Sequence, residues 1–426
     1  MEVIRVEGGY PISGEVTVEG AKNSVLKLMA ASILAPGKTV LSNVPNISDV
    51  HVMGKVLTYL GATITVINEH ELEIDTTNVH KYDAPYHLVA QMRASTAVLG
   101  PLLGRFKRAT VAMPGGCNIG ARKIDMHILG LEALGVSFEI THGNIHATIP
   151  NGLHGATIKL EFPSVGATEN LMMASVHATG TTIIENAARE PEIVDLANFL
   201  CEMGAHITGA GTPIIEVKGV DHELSCVPHH VVVGDRIEAG TFISIGGLCK
   251  DPVVVKGFNP QHLSLVLKKY ELMGMNIEYG TNWVRVSRDR DLQSVDIQTL
   301  PYPGFPTDMQ AQTVCLLALA NNSSVVTENV FENRFMFASE LQRMGAQIRI
   351  EGHHAVIHGI RKFSAACVKS PDLRGGAALV MAGLVADGYT TVSQIAHIDR
   401  GYERFVEKLQ GLGASIARIE VPDEEE

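Results

Sequence analysis

Leu60-Gly61-Ala62-Thr63-Ile64-Thr65-Val66 ends a helical pattern on glycine and continues at once as a β-rich run. The same transition returns at Leu134-Gly135-Val136, Met203-Gly204-Ala205, Met273-Gly274-Met275, Met344-Gly345-Ala346 and Leu412-Gly413-Ala414. Successive glycines stand 74, 69, 70, 71 and 68 residues apart. Glycine at such a place reads as the left-handed residue that closes a helix before a strand. Upstream of each transition lies a second helical segment, rich in Ala, Gly, Leu and Met and therefore expected to be buried all round. These segments begin near Lys22, Arg93, Ser164, Glu238, Asp308 and Arg374, and a turn and a strand such as Thr181-Thr182-Ile183-Ile184 follow them. One unit is thus strand, buried helix, strand, amphipathic helix, strand, strand (βαβαββ), and six copies fill the chain. Solenoid repeats usually run roughly 20–45 residues. A unit of about 70 residues points instead to globular α/β domains of three units each, divided near Ser225-Cys226-Val227-Pro228-His229.

Composition narrows the function. The 426 residues are 46% hydrophobic and 19% charged, which excludes a disordered chain. Lys and Arg total 34 against 46 Asp and Glu, a net charge of −12. A nucleic-acid partner is excluded on that ground, because phosphate neutralisation needs a basic surface. A small anionic ligand needs only a local cationic pocket. The longest nearly apolar run, Gly375 to Ala386, is too short for a bilayer. Met1-Glu2-Val3-Ile4-Arg5 lacks the pattern of a signal peptide, and six cysteines without a CxxC pair fit a reducing compartment. We expect a cytoplasmic protein with no membrane attachment. Pro422-Asp423-Glu424-Glu425-Glu426 reads as a solvated tail.

The starts of the buried helices carry the chemistry. Helix N-termini present unpaired N–H groups and the positive dipole end, so they suit anions. Lys22, Arg93 and Arg374 add cations at equivalent repeat positions, against ordinary capping logic. Pro114-Gly115-Gly116-Cys117-Asn118-Ile119-Gly120-Ala121-Arg122 sets a thiol in a glycine-rich loop five residues before an arginine, a setting for a reactive cysteine. Cys201, Cys249 and Cys315 lie in apolar helical patterns, and Cys226 and Cys367 in connectors or strands. These five are read as small core hydrophobes. Asp308, in Pro303-Gly304-Phe305-Pro306-Thr307-Asp308, reads as an N-cap, a base, or both. His229-His230 and His353-His354 read as surface pairs. The 18 histidines show no metal-ligand spacing, and no phosphate-binding glycine motif opens a βαβ unit.

Taken together, Gly20-Ala21-Lys22-Asn23, the Gly-Gly-Cys loop through Arg122, Ser164-Val165-Gly166-Ala167-Thr168 and Asn186-Ala187-Ala188-Arg189-Glu190-Pro191-Glu192 resemble the UDP-N-acetylglucosamine enolpyruvyl transferases (1-carboxyvinyltransferases). Gly304-Phe305-Pro306-Thr307-Asp308, Phe331-Glu332-Asn333-Arg334-Phe335 and Asp399-Arg400-Gly401-Tyr402-Glu403 extend the resemblance over nearly the whole chain. It implies two inside-out α/β barrel-like domains of three repeats each. The first, 22–229, carries the Cys117 loop; the second, 1–21 plus 230–426, carries Asp308 and Arg400. It implies transfer of the enolpyruvyl group of phosphoenolpyruvate to the 3-hydroxyl of UDP-N-acetylglucosamine with release of phosphate, at the entry to peptidoglycan synthesis. No metal or organic cofactor is implied.

By the same resemblance, Lys22 and Asn23 contact phosphoenolpyruvate, and Arg122 and Arg400 hold its phosphate and carboxylate. Arg93 and the segment Arg122, Lys123, Ile124, Asp125 and Met126 match ligand positions around the UDP-sugar. Ser164, Val165 and Gly166 lie near the uridine or diphosphate. Asp308 faces the reacting hydroxyl, with Val330 and Phe331 in the sugar pocket and Arg374 among the binding cations. Cys117 matches the thiol that protonates or covalently captures phosphoenolpyruvate. The chain departs from many members at Phe162-Pro163, where they carry a lysine two residues before Ser-Val-Gly. The residue types fit the reaction. A carboxylate takes the hydroxyl proton, a loop thiol supplies one to the methylene, and cations balance an anionic tetrahedral ketal. Two alternatives stand beside this reading: a shikimate-pathway enolpyruvyl transferase, which lacks the Gly-Gly-Cys loop, and a catalytically silent UDP-sugar sensor.

Overall fold

The computed structural model describes residues 1–84, 86–89, 93–113 and 124–422. Six four-stranded sheets are present among them, all built to one plan. In one copy Thr157–Lys159 pairs in parallel with Thr181–Glu185, which pairs antiparallel with Ile214–Lys218, which pairs antiparallel with His206–Thr208. The parallel pair requires a crossover, and the helix Val165–Ser175 supplies it. The amphipathic helix Pro191–Glu202 connects the second strand to the last hairpin. At the six helix-closing glycines, 61, 135, 204, 274, 345 and 413, φ lies between 92° and 112°. An L side chain there would strain the backbone.

The crossover helices are the interior. Every residue of Arg236–Leu248 is buried, and so is Leu373–Leu384 apart from its first residue. Such helices have no solvent face and need small residues where backbones meet. A Cβ on Gly100 of the helix Leu99–Phe106 would stand 2.6 Å from the carbonyl oxygen of Asn170 on Val165–Ser175. Within each unit the sheets lie outside these helices. Strands such as Glu71–Asp75 alternate buried and half-buried residues, whereas the edge strand Thr63–Asn68 is mostly exposed. Helices inside and sheets outside make an inside-out α/β fold.

The described residues divide into two compact units, Met1–Glu19 with Gly234 onward, and those between Gly20 and Val233, each with its own hydrophobic core. The repeats are permuted across this division. Glu2–Glu7 lies between Tyr389–Ser393 and Ser415–Glu420 and completes the sixth sheet. Gly14–Thr17 pairs in parallel with Val253–Lys256 and begins the fourth. His230–Val231 pairs in parallel with Lys38–Ser42 and begins the first. Among the described residues the chain passes between units at 19/20 and 233/234. Within the second unit the Ala21 N–H donates to Val233 O at 2.6 Å, joining its two ends.

Three local expectations are corrected. Cys201 and Cys367 are exposed, because the amphipathic helix and the edge strand Cys367–Lys369 turn those positions outward; Cys249 and Cys315 are buried as expected. His230 is buried, unlike its neighbour His229, because the strand alternation turns it inward between Asp195 and Glu202. Asp308 is not an N-cap. It lies inside the 3-10 turn Thr307–Met309, whose N-cap position is Pro306.

Candidate active site

In the unit built from Gly234 onward, Asp308 is the focus. Its Oδ1 accepts a hydrogen bond from Arg334 Nη2 at 2.6 Å, and its Oδ2 lies 3.6 Å from Arg374 Nη2. Both arginines are buried, at 5% and 3% exposure, while the Asp308 side chain keeps about a quarter of its surface. Arg374 is the second residue of Leu373–Leu384, whose first turn is capped by Asp372 through the Arg374 and Gly375 N–H groups. Burial works against the Arg374 charge. Tyr402, Asp308 and Asp235 outweigh it and hold the guanidinium above its ordinary pKa. Arg374 Nη1 is buried without a hydrogen-bond partner among the described residues, a donor ready for an anion.

The walls around this pair are tied into the helical centre. The Tyr402 ring lies 5.3 Å from the Arg374 guanidinium carbon, and its hydroxyl is 2.8 Å from Thr241 Oγ1. Gln312 Nε2 donates to the same threonine at 2.9 Å. Val330 and Phe331 follow the strand Ser323–Thr327, and the Arg334 guanidinium stands over the Phe331 ring at 5.5 Å. Arg400 closes the short helix Ala396–Asp399 and is half-buried. Burial, then the Arg400 charge, lowers the pKa of the nearby His397.

In the other unit, Lys22 opens the helix Lys22–Ala31, and its ammonium pairs with Asp49 at 2.7 Å. Asp49 lies in the first turn of Ser48–Leu60, so a carboxylate set by one helix dipole holds the cation placed against another. Asn23 is exposed beside it, and Ser24 donates to Asp195. Ser164 is the N-cap of Val165–Ser175, its Oγ accepting from Ala167 N at 3.3 Å. Val165 and Gly166 are half-buried in that first turn, and Ile124, Asp125 and Met126 begin Asp125–Ala133.

Asn170 joins these pieces. Its Nδ2 donates to Thr96 O at 2.7 Å, to Gly166 O at 3.3 Å and to His127 Nδ1 at 3.1 Å; its Oδ1 accepts from Gly100 N at 2.7 Å. Thr96 belongs to the 3-10 turn Arg93–Val98, which Arg93 opens, so three candidate ligand segments share one buried amide. Burial, with a smaller contribution from Lys27, pushes His127 down to about 4, and the neutral ring accepts from Asn170. Cys117, Arg122 and Lys123 lie outside the described residues.

Two of these groups escaped sequence reading: Asn170 and Asp49 carry no motif of their own. Arg334 and Tyr402 are visible only as parts of Phe331-Glu332-Asn333-Arg334-Phe335 and Asp399-Arg400-Gly401-Tyr402-Glu403. No helix among the described residues is long and apolar enough to cross a membrane.

A family profile described as EPSP synthase (3-phosphoshikimate 1-carboxyvinyltransferase) matches residues 6–409. The UDP-N-acetylglucosamine 1-carboxyvinyltransferase 1 of Staphylococcus aureus is 50% identical over 421 residues, covering 98% of this chain and 100% of the relative. The UDP-N-acetylglucosamine 1-carboxyvinyltransferase 2 of Carboxydothermus hydrogenoformans is 52% identical with the same coverage. Among solved structures, the enolpyruvyl transferase NikO from Streptomyces tendae superposes with a TM-score of 0.89 at 24% identity, over 99% of both chains. EPSP synthase from Acinetobacter baumannii gives 0.75 at 18% identity, over 99% of this chain and 100% of that one. Both share the fold.

Proposed function

The chain belongs to the EPSP synthase family of enolpyruvyl (1-carboxyvinyl) transferases, with UDP-N-acetylglucosamine 1-carboxyvinyltransferases as half-identical relatives, and from that premise we propose that it transfers the enolpyruvyl group of phosphoenolpyruvate to the 3-hydroxyl of UDP-N-acetylglucosamine. It is a transferase. The reaction releases phosphate and supplies peptidoglycan synthesis in the cytoplasm. The observation that carries the reading is the Asp308 carboxylate. Arg334 holds one oxygen, and the other lies at the edge of the Arg374 guanidinium, whose Nη1 awaits an anion. A base beside a buried anion donor suits the addition of an alcohol to a phosphorylated enol.

In the addition step the sugar oxygen bonds to C2 of phosphoenolpyruvate as its proton passes to Asp308. A proton from Cys117 reaches the C3 methylene. The tetrahedral ketal keeps phosphate and carboxylate, and Lys22, Arg122, Arg374 and Arg400 offset their charge. In elimination the C2–O bond to phosphate breaks with its electron pair, and a proton leaves the new methyl group. Asn23 supports phosphoenolpyruvate. Arg93, the Arg122–Met126 segment and Ser164, Val165 and Gly166 bind the UDP-sugar, and Val330 and Phe331 line the sugar pocket. These binding roles rest on family resemblance, and Cys117, Arg122 and Lys123 lie outside the described residues.

The half-identical relatives favour UDP-N-acetylglucosamine over a shikimate acceptor, since the EPSP synthase structure shares only 18% of its residues. Phosphate release decides between the readings. It is expected with phosphoenolpyruvate and UDP-N-acetylglucosamine together and absent with shikimate 3-phosphate as acceptor. Binding of the UDP-sugar without phosphate release would leave the sensor.

A further inference from the structure

We propose that Glu328 is a positioning residue for the transfer, acting through Asp308; this rests on the reading of Asp308 as the base. Glu328 follows the strand Ser323–Thr327, and its own N–H donates to His353 O at 2.8 Å, so its backbone belongs to the sheet frame. Its carboxylate is 3% exposed and accepts four hydrogen bonds. Oε1 takes the N–H groups of Val330 and Phe331 at 2.8 and 3.0 Å. Oε2 takes Thr307 Oγ1 at 2.9 Å and Gln310 Nε2 at 3.0 Å. Thr307 and Gln310 flank Asp308 on both sides of one tight turn. A single rigid carboxylate thus sets the turn that presents the base against the segment that lines the sugar pocket.

The arrangement differs from ordinary loop bonding in two ways. Burying a carboxylate is costly unless every acceptor site is used, and here both oxygens are each used twice. The bonds also connect two candidate functional segments to each other rather than one loop to itself. The same segments meet again through Arg334 and Asp308. Displacing a base by about 1 Å from its proton costs on the order of 10²-fold in rate. Position at Asp308 is therefore worth holding from two directions.

A double-mutant cycle on the full chain tests this, with turnover read as phosphate released from labelled phosphoenolpyruvate at a temperature where melting curves show every variant folded. Glu328→Ala is expected to lower kcat by at least ~10-fold. Thr307→Val, which removes one of the two links to the Asp308 turn and leaves the bonds to Val330 and Phe331, is expected to lower kcat with the KM for UDP-N-acetylglucosamine nearly unchanged. Glu328→Gln keeps an oxygen for Val330 and Phe331. Its new amide can donate to Thr307 and to the Gln310 Oε1, which has no partner among the described residues, so most of the activity should return. In an Asp308→Asn background, Glu328→Ala and Thr307→Val should cost almost nothing further, because the group they position is already disabled. Full additivity in that background overturns the proposal while leaving Asp308 as the base. Near-normal turnover of Asp308→Asn alone overturns the base assignment instead. If Glu328→Ala does not fold, Thr307→Val decides by the same cycle.

Discussion

The two Asp308 oxygens have different surroundings, Arg334 Nη2 at 2.6 Å from one and Arg374 Nη2 at 3.6 Å from the other. An amide of the same shape keeps the contacts of the pocket but cannot accept the hydroxyl proton. Asp308→Asn should therefore bind UDP-N-acetylglucosamine with little change in calorimetric Kd while kcat falls by at least ~10²-fold, the low end for a positioned base. The cysteines make a second prediction at this scale. Burial pushes the Cys249 thiol up to about 12 and raises Cys315 as well, which leaves both inert near neutral pH. Cys201 and Cys367 are exposed, with no designed anion site in their sequence contexts. In the sequence, Cys117 follows two glycines and precedes Arg122 by five residues. An epoxide phosphonate, which resembles phosphoenolpyruvate, is expected to alkylate Cys117 and no other thiol. Peptide mass mapping reads the result, and label on Cys201 or Cys367 would remove the special reactivity of the loop.

Helices in this fold bury polar side chains by making them junctions. Asn170 on Val165–Ser175 bonds to the Arg93–Val98 turn, to Gly100 and to His127 of Asp125–Ala133, so one amide sets the spacing of three elements. His127 can accept from Asn170 only while its ring is neutral, and burial followed by Lys27 holds its pKa at about 4 against an ordinary 6.5. Between those values the unfolded chain binds more protons than the folded one. Stability is therefore complete above the upper value and lost as pH falls through the window. At pH 5 the loss from this group is ~2 kcal/mol. The drop in melting temperature from pH 7 to pH 5 should be smaller in His127→Gln than in the wild-type chain. An equal drop in both would show that His127 is not the group being titrated.

At the scale of the molecule, the N-terminal strands belong to the unit that begins at Gly234. Glu2–Glu7 lies between two strands of the sixth sheet, with Val3, Ile4 and Val6 almost wholly buried, and Gly14–Thr17 begins the fourth. Burying each such side chain contributes roughly 1.5–3 kcal/mol, which together rivals the whole stability of a domain. Deleting residues 2–18 should abolish amide protection in Tyr389–Ser393 and Val253–Lys256 and leave it in Thr181–Glu185, as read by hydrogen exchange. Retained protection in Tyr389–Ser393 would mean the sixth sheet stands without its inner strand.

Six glycine-ended helices at a spacing near 70 residues were enough to give the repeat, its βαβαββ order and the burial of one helix in each unit, because a left-handed helix end and an all-round apolar helix are local properties of the chain. The residue types at Lys22 and Arg374 likewise stood out, since a cation at a helix start breaks a local rule, and Asp308 stood out by its place in a Pro/Gly-rich entry to a buried helix. What tertiary structure decided is which distant pieces share a sheet or a hydrogen bond. No local pattern says that Glu2–Glu7 completes the sixth sheet or that His230–Val231 begins the first, because strand pairing depends on partners far away in sequence. Asn170, Glu328 and Asp49 look like ordinary polar residues along the chain. They matter because burial leaves each a small set of partners, and those partners sit on the elements that carry the candidate site.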